Sequence, residues 1–304
     1  MPASYEGVGI LILKTMQTVY LNGQLLPANE AKVSVFDRGF LFGDSVYEVI
    51  PFYQGVGFRL KEHLERLNHS LRAIRIKSDT NWEKVLTQLV EANGGGNLSV
   101  YLQVTRGDAG KRSHAYADTM EPTVFACCSE IKDIWQAGAE DIKPIKAVVS
   151  EDLRWHRCDI KSTCLLPNIL VLQQAKDQGA DEALFSRDER LTEGSACNLF
   201  LVKRGVLFTP KRSSEILGGI TRQLILELAD EHGIQYQEMD IDYERLLMAD
   251  EVWVCSSTRG IIPVTEVDGN RIGDGLKGPL WNKMFELFTV YQRELMAGEH
   301  NKLS

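Results

Sequence analysis

Several groups of residues in this chain carry side chains able to do chemistry together. Lys161 follows the run Arg157-Cys158-Asp159-Ile160 and precedes an apolar helix start at Leu165-Leu166-Pro167. Most lysines are solvated surface residues. A partly buried amine beside the cations Arg154 and Arg157 would lose its proton more easily, and a neutral amine can form a Schiff base with an aldehyde. Glu193, within Leu191-Thr192-Glu193-Gly194-Ser195, reads as turn chemistry or as a carboxylate aimed at a ring nitrogen. A pyridine nitrogen must keep its proton for the ring to withdraw electrons, and an adjacent carboxylate holds that proton. Gly218-Gly219-Ile220-Thr221-Arg222 opens a helix. Thr221 there is either a plain N-cap or part of a phosphate site, where amides and a hydroxyl meet the positive end of the helix dipole. Ser256-Ser257-Thr258 follows a strand and adds hydroxyls. Arg66 lies off the apolar stripe of its helix, as a solvated residue or as a guanidinium for phosphate. Arg112-Ser113-His114 is an exposed basic loop or a carboxylate clamp. Tyr47 and Glu48 alternate on a strand and so face opposite ways.

These residues need elements to hold them. Thr18 to Leu21, the Asn22-Gly23 turn and Gln24-Leu25-Leu26 read as a hairpin. Val46 to Tyr53 is a strand, followed by a turn at Gln54-Gly55 and a strand Gly57 to Leu60. Leu64, Leu67, Leu71 and Ile74 recur at helical spacing over 61–75. A second helix covers Asn81 to Ala92, and strands cover Leu98 to Thr105 and Thr123 to Ser129. Beyond them, a strand is expected over Ile142 to Val149 and a helix over Pro167 to Gln178, with strands at 182–186, 198–203 and 206–209. Helices are expected over Thr221 to Glu231, Asp242 to Met248 and 277–296, with a strand over Glu251 to Cys255. Strands outnumber what a strict βαβ alternation gives, so the chain is a mixed α/β (α+β) protein with antiparallel sheet in both halves. The stretch Ile134 to Asp141 is the linker between residues 16–133 and 142–304. Residues 1–15 read as an N-terminal extension, expected to be disordered.

The chain has 304 residues, enough for about two domains. Its 34 basic and 42 acidic side chains leave a net charge of −8, which excludes a generally basic nucleic-acid footprint. The apolar run Val8 to Leu13 is too short to span a bilayer and lacks the basic flank of a signal peptide. The six cysteines form no C-x-x-C pair and no zinc spacing, and read as reduced thiols of a cytoplasmic protein. No G-x-S-x-G, Walker A, H-E-x-x-H or G-x-G-x-x-G motif is present.

Taken in order, the motifs form a pattern. Asp37-Arg38-Gly39-Phe40, Phe42-Gly43-Asp44-Ser45-Val46-Tyr47-Glu48-Val49, Arg112-Ser113-His114, Cys158-Asp159-Ile160-Lys161-Ser162, Thr192-Glu193-Gly194-Ser195, Gly219-Ile220-Thr221-Arg222 and Ser256-Ser257-Thr258 carry a resemblance that extends from about Tyr20 to about Gln292. The chain resembles the class IV (fold type IV) pyridoxal-phosphate aminotransferases, and within them the D-amino-acid branch. The resemblance implies a smaller N-terminal domain and a larger C-terminal pseudo-barrel domain, with pyridoxal 5′-phosphate between them. It implies that Lys161 carries the cofactor as a Schiff base and moves the substrate proton. Glu193 then pairs with the ring nitrogen. Arg66, Thr221, the Ile220 backbone, and Ser257 or Thr258 take the phosphate, and Ser195 joins the cofactor site. Tyr47, Arg112 and His114 form the carboxylate trap, the last two reaching in from the partner of a homodimer. The expected reaction is D-alanine plus 2-oxoglutarate to pyruvate plus D-glutamate. Other readings stay open: a branched-chain L-amino-acid aminotransferase or an aminodeoxychorismate lyase of the same fold, or a non-catalytic phosphate-ligand binding module. Ala196-Cys197 stands where relatives often show serines, and the tail of the loop after Gly107 departs from the family pattern.

Overall fold

A computed structural model describes residues 18–117, 119–132 and 138–298. The expected extension 1–15 and residues 134–137 of the linker 134–141 lie outside the described residues, and Ala139–Asp141 of the linker form a single 3-10 turn. Asn22 and Gly23 both take positive φ, 47° and 92°, and turn β1 (Thr18–Leu21) into β2 (Gln24–Pro27). This left-handed pair matches strand twist, so the hairpin closes in two residues. A short helix α1 (Arg38–Phe42), capped by the Asp37 carboxylate on the Gly39 amide, leads into β3 (Ser45–Tyr53). Gln54-Gly55 then turns the chain into β4, which is only Val56–Gly57. The expected strand to Leu60 is cut short because α2 (Leu60–Ala73) begins there. The helix α3 (Trp82–Ala92), capped by Asn81, precedes β5 (Leu98–Thr105) and β6 (Thr123–Glu130). These strands form one antiparallel sheet in the order β2-β1-β6-β5-β3-β4. Its core packs Val100 and Leu102 against Leu67 and Leu71 of α2 and Leu86 and Leu89 of α3.

The second half opens with β7 (Ile145–Glu151), three residues later than expected at its start. It continues through α4 (Leu166–Asp177), β8 (Glu182–Arg187), β9 (Arg190–Gly194), β10 (Asn198–Lys203) and β11 (Val206–Pro210). Then come α5 (Ile220–Glu231), β12 (Tyr236–Met239), α6 (Tyr243–Leu247), β13 (Glu251–Ser256), β14 (Gly260–Val267), β15 (Asn270–Arg271) and α7 (Pro279–Met296). The sheet runs β12-β11-β10-β13-β14-β7-β8-β9, with β15 on β14. Strand period two sorts its side chains onto two buried faces. Phe200, Val202, Trp253 and Cys255 pack under α5 and α7. Leu199, Leu201, Val252 and Val254 point the other way, into a core shared with Leu184, Leu191 and Leu246. Strands from both ends of the sheet meet in that core, and the Leu191 amide donates to the Ile241 carbonyl at 2.7 Å. The sheet is therefore curled, as the expected pseudo-barrel requires. Among the described residues no helix is long and apolar enough to cross a membrane.

The pleat of β3 decides what reaches the space between the sheets. Val46 and Ile50 enter the first core, and Glu48, on the same face, is fully buried. A buried carboxylate is tolerable only when paired and hydrogen-bonded. Glu48 accepts from both Nε and Nη2 of Arg66 at 2.7 Å and contacts His63 Nδ1 at 2.8 Å. Burial is the largest influence on Glu48 and would raise its pKa, but Arg66 and His63 together hold it far below the carboxylate range. Burial moves the His63 imidazole below its ordinary 6.5.

Two outcomes follow from this packing. Phe200 is fully buried beside Trp253, so Phe200→Ala should cost about 3–5 kcal/mol, read as a lower denaturation midpoint; a midpoint near that of the parent would contradict the assigned core. Burial makes the folded His63 take up a proton less readily than the unfolded chain, which does so as the pH falls through 6.5. Acid therefore favours unfolding at this position: its contribution is whole above that value and shrinks below it. His63→Gln should lose less stability than the parent between about pH 7.5 and about pH 5.5. Parallel losses in calorimetry would contradict that.

Candidate active site

Lys161 is fixed through its backbone before its side chain is considered. Its carbonyl accepts from the Tyr47 amide at 2.9 Å, and its amide donates to the Ser70 hydroxyl of α2 at 3.2 Å. Val46 and Ser162 form an isolated bridge, and Ile160 is buried in the first core. The segment between β7 and α4 is thus stitched onto the β3 edge of the other sheet. Its lysine enters a cleft of about 200 Å³ between the sheets. Tyr47 and Val49, the outward face of β3, line that cleft. Lys161 Nζ lies 4.3 Å from the Tyr47 ring centroid. The arginines expected to act on this amine are both committed to carboxylates. Arg157 donates to Asp159 at 2.9 Å, and Arg154 to Asp152 at 2.8 Å and to Glu193 at 2.5 Å.

Glu193 stands on β9, not in a turn as its neighbours suggest. The turn lies earlier, at Asp188 and Glu189, whose φ values of 48° and 64° close the β8–β9 hairpin. That placement fixes the carboxylate, which is 5% exposed. Its Oε1 accepts from Arg154 Nη1, and its Oε2 accepts from Asn198 Nδ2 at 3.1 Å and the Leu217 amide at 3.0 Å. Arg154 is itself locked by Asp152 and lies 4.3 Å over the Phe185 ring. Burial raises the Glu193 pKa above its ordinary value, against the pull of Arg154. Such a carboxylate can hold a proton on a basic ring nitrogen.

At the other end of the cleft, α5 begins with Gly219 as its N-cap and no side-chain cap. Thr221, expected as that cap, is the second helical residue, and its buried Oγ1 has no hydrogen-bond partner among the described residues. The first amides of a helix also lack intrahelical acceptors. A Cβ on Gly219 would fall 1.8 Å from Asn198 Oδ1, so only glycine lets the helix start approach the Glu193 network. Arg66 Nη1 donates to the Gly218 carbonyl at 3.0 Å, which brings its guanidinium to the same helix start. Ser257 and Thr258, in the turn after β13, complete the wall. A hydroxyl and amides without acceptors, an arginine, a deep carboxylate and a primary amine fit pyridoxal 5′-phosphate by their donor chemistry.

Other expected residues are placed differently. The Ser195 hydroxyl donates to the buried Glu182, and Ser195 lines an adjoining cavity rather than the wall shared by Thr221 and Arg66. Arg112 and His114 are exposed on the Phe42 ring, at 5.2 and 5.3 Å, and neither lines the cleft of its own chain. Arg38 fixes their loop through the Ser113 and His114 carbonyls. The motif reading missed Arg154 as the partner of Glu193, together with Asp152, Asn198, Glu48 and His63. The alternation of Tyr47 with Glu48 was the available signal for Glu48.

A family model for class IV amino-transferases matches residues 45–267. The chain is 41% identical over 265 residues to a D-alanine aminotransferase of Bacillus licheniformis, covering 86% of this chain and 92% of that one. It is 39% identical over 274 residues to a D-alanine aminotransferase of Listeria innocua, covering 89% and 94%. Among solved structures it resembles the branched-chain amino acid aminotransferase of Escherichia coli, with a TM-score of 0.81 and 29% identity over 93% of this chain and 95% of that one. It also resembles a T.th. branched-chain amino acid aminotransferase solved with pyridoxamine 5′-phosphate, with a TM-score of 0.80 and 26% identity over 93% and 95%. A matching family model across most of the chain, together with these relatives, establishes the protein as a member of the class IV aminotransferases, enzymes that depend on pyridoxal 5′-phosphate.

Proposed function

We propose that this chain transfers the amino group of D-amino acids, D-alanine first, to 2-oxoglutarate, giving pyruvate and D-glutamate. The observation that carries the handedness is the 41% identity to a D-alanine aminotransferase over most of both chains. The Arg112-Ser113-His114 motif supports it. Structural likeness to branched-chain aminotransferases keeps L-branched-chain substrates as the second reading.

Lys161 and Glu193 would hold pyridoxal 5′-phosphate at its two reactive ends, with Arg66, Thr221, the Ile220 amide, Ser257 and Thr258 on its phosphate. Bound there, the cofactor supplies an aldehyde for amines and an electron-withdrawing pyridinium ring. The protein supplies protons and orientation. Lys161 Nζ takes the proton from the substrate Cα and hands it back. As an anion supported by Arg154, Glu193 would keep a proton on the ring nitrogen. Tyr47 walls the amine side, 4.3 Å from Lys161 Nζ. Ser195 orders Glu182, and its carbonyl accepts from Asn168 Nδ2 at 2.8 Å.

The carboxylate clamp is assigned to a second copy. Arg112 and His114 lie outside their own cleft, while Phe40, Leu153 and Leu166 are 75%, 68% and 65% exposed. Apolar side chains left in water to that extent suit a homodimer in which each loop serves the partner's site. The two sheets draw on separate stretches of chain, in keeping with domains at 16–133 and 142–304 joined by 134–141. The six free cysteines suit the cytoplasm.

The purified holoenzyme should show a yellow band that bleaches on adding D-alanine and persists with L-leucine. Bleaching by L-leucine alone would move the assignment to the second reading. Lys161→Ala should lose the covalent cofactor band and nearly all turnover; retained turnover would refute its role. Arg112→Ala should lower kcat/KM for D-alanine by about tenfold to a hundredfold, the worth of one charge-assisted contact. An unchanged value would place this loop away from the substrate.

A further inference from the structure

One cation in the cleft has no part in the chemistry above. Arg259, in the turn between β13 and β14, lines the same wall as Ser257 and Thr258. The other cations there are committed. Arg66 donates from its Nε and both terminal nitrogens to Glu48 and the Gly218 carbonyl and is assigned to the phosphate with what remains, and Lys161 serves the cofactor. Arg259 donates only from Nη1, to Glu182 Oε2 at 2.8 Å. None of its other N–H groups meets an acceptor among the described residues, and its side chain is 40% exposed.

Glu182 is well suited to aim it. This carboxylate is 1% exposed, and its Oε1 accepts from the Ser195 hydroxyl and from the amides of Ala183 and Ser195. A carboxylate held by so many donors is rigid, and it holds one corner of the guanidinium. Arg259 lines the cleft, and the donors it has left belong to a planar fork, the geometry that binds a second carboxylate. The charge of Glu182 is already shared among several donors, so the guanidinium keeps hydrogen-bonding capacity for a ligand.

We infer that Arg259 is the subsite for the side-chain carboxylate of dicarboxylic substrates, and that it sets the preference for D-glutamate and 2-oxoglutarate over D-alanine and pyruvate. The inference rests on the transamination reading above and deepens it. With the α-carboxylate held by the clamp proposed for the partner's loop, the cleft needs a separate cation for a second carboxylate, and Arg259 is the one with donors to spare. Alanine has no such group and makes no use of it.

The test pairs kinetics with binding of unreactive acids. In Arg259→Gln holoenzyme, the ratio of kcat/KM for D-glutamate to that for D-alanine should fall about tenfold to a hundredfold. Arg259→Lys, which keeps the charge and loses the fork, should restore part of it. Calorimetry on the parent holoenzyme should show glutarate binding at least about tenfold tighter than valerate, the five-carbon acid with one carboxylate. That margin should vanish in Arg259→Gln. A ratio that stays within about twofold of the parent, or glutarate no tighter than valerate on the parent, would overturn the inference. Absence of any D-alanine turnover in the parent would instead overturn the transamination reading, and the glutarate margin would then decide Arg259 by itself.

Discussion

A carboxylate on the floor of a cleft costs several kcal/mol unless its lone pairs are answered, and Glu193 is answered from three directions. Arg154 comes from the segment that also carries Lys161, Asn198 from the next strand, and the Leu217 amide from the approach to α5. One side chain therefore ties together the loop that carries Lys161, the sheet, and the approach to α5. If β9 shifted by one residue, Glu193 would turn into the opposite core, and none of these elements would share a reference point. The network behind it runs deeper. Asp152 holds Arg154, Arg187 donates to the Arg154 carbonyl at 2.8 Å, and the Thr192 hydroxyl donates to Asp152 at 3.0 Å. A buried charge network of this kind is weak evidence for stability; its value here is that it gives the carboxylate a single position.

The same logic recurs at Glu48, on the other sheet. Arg66 would be a mobile surface side chain if α2 were considered alone. Glu48, placed inward by the pleat of β3, takes two of its nitrogens, and the Gly218 carbonyl takes a third. The guanidinium is thereby brought across from the first sheet to the helix start of the second. Each end of the cleft is thus organised by a buried acid and an arginine, and the lysine is held between them by backbone hydrogen bonds to β3 and α2. The cleft is a property of the junction between the sheets.

Much of this is legible from local pattern. The Asn22-Gly23 hairpin, the α2 stripe and the helix after Gly219 follow from turn chemistry and periodicity. What escapes such a reading has identifiable causes. The helix α1 has only five residues, too few to show a period. Pro263 in the middle of β14 argues against a strand by composition, yet the strand lies between β13 and β7, with a register shift between Val264 and Glu266 just beyond the proline. Thr-Glu-Gly-Ser suits a turn and suggests one at Glu193, while Asp188 and Glu189 take the left-handed conformation instead. Thr221 looks like an N-cap in every local respect, but the helix starts one residue earlier and leaves its hydroxyl unsatisfied. Side-chain pairings such as Arg154 with Glu193 join residues 39 positions apart, a distance at which pattern carries no information.

The arrangement also says why a single chain is an incomplete enzyme on the proposed reading. The stereochemical outcome of transamination depends on where the substrate carboxylate is held relative to the amine that removes the Cα proton. Within one chain, the phosphate end has its arginine, the ring nitrogen has its carboxylate, and the amine has Tyr47 at its side. The α-carboxylate has no dedicated cation, because the basic pair that suits it sits against Phe42, outside the cleft, with its loop pinned by Arg38. On the proposed reading, a loop so held meets its ligand in the partner's cleft. Supplying the clamp from a second copy separates two tasks that compete inside one fold. The buried acids must exclude water to fix the cofactor's protons, whereas the carboxylate trap must stay open to admit and release charged acids.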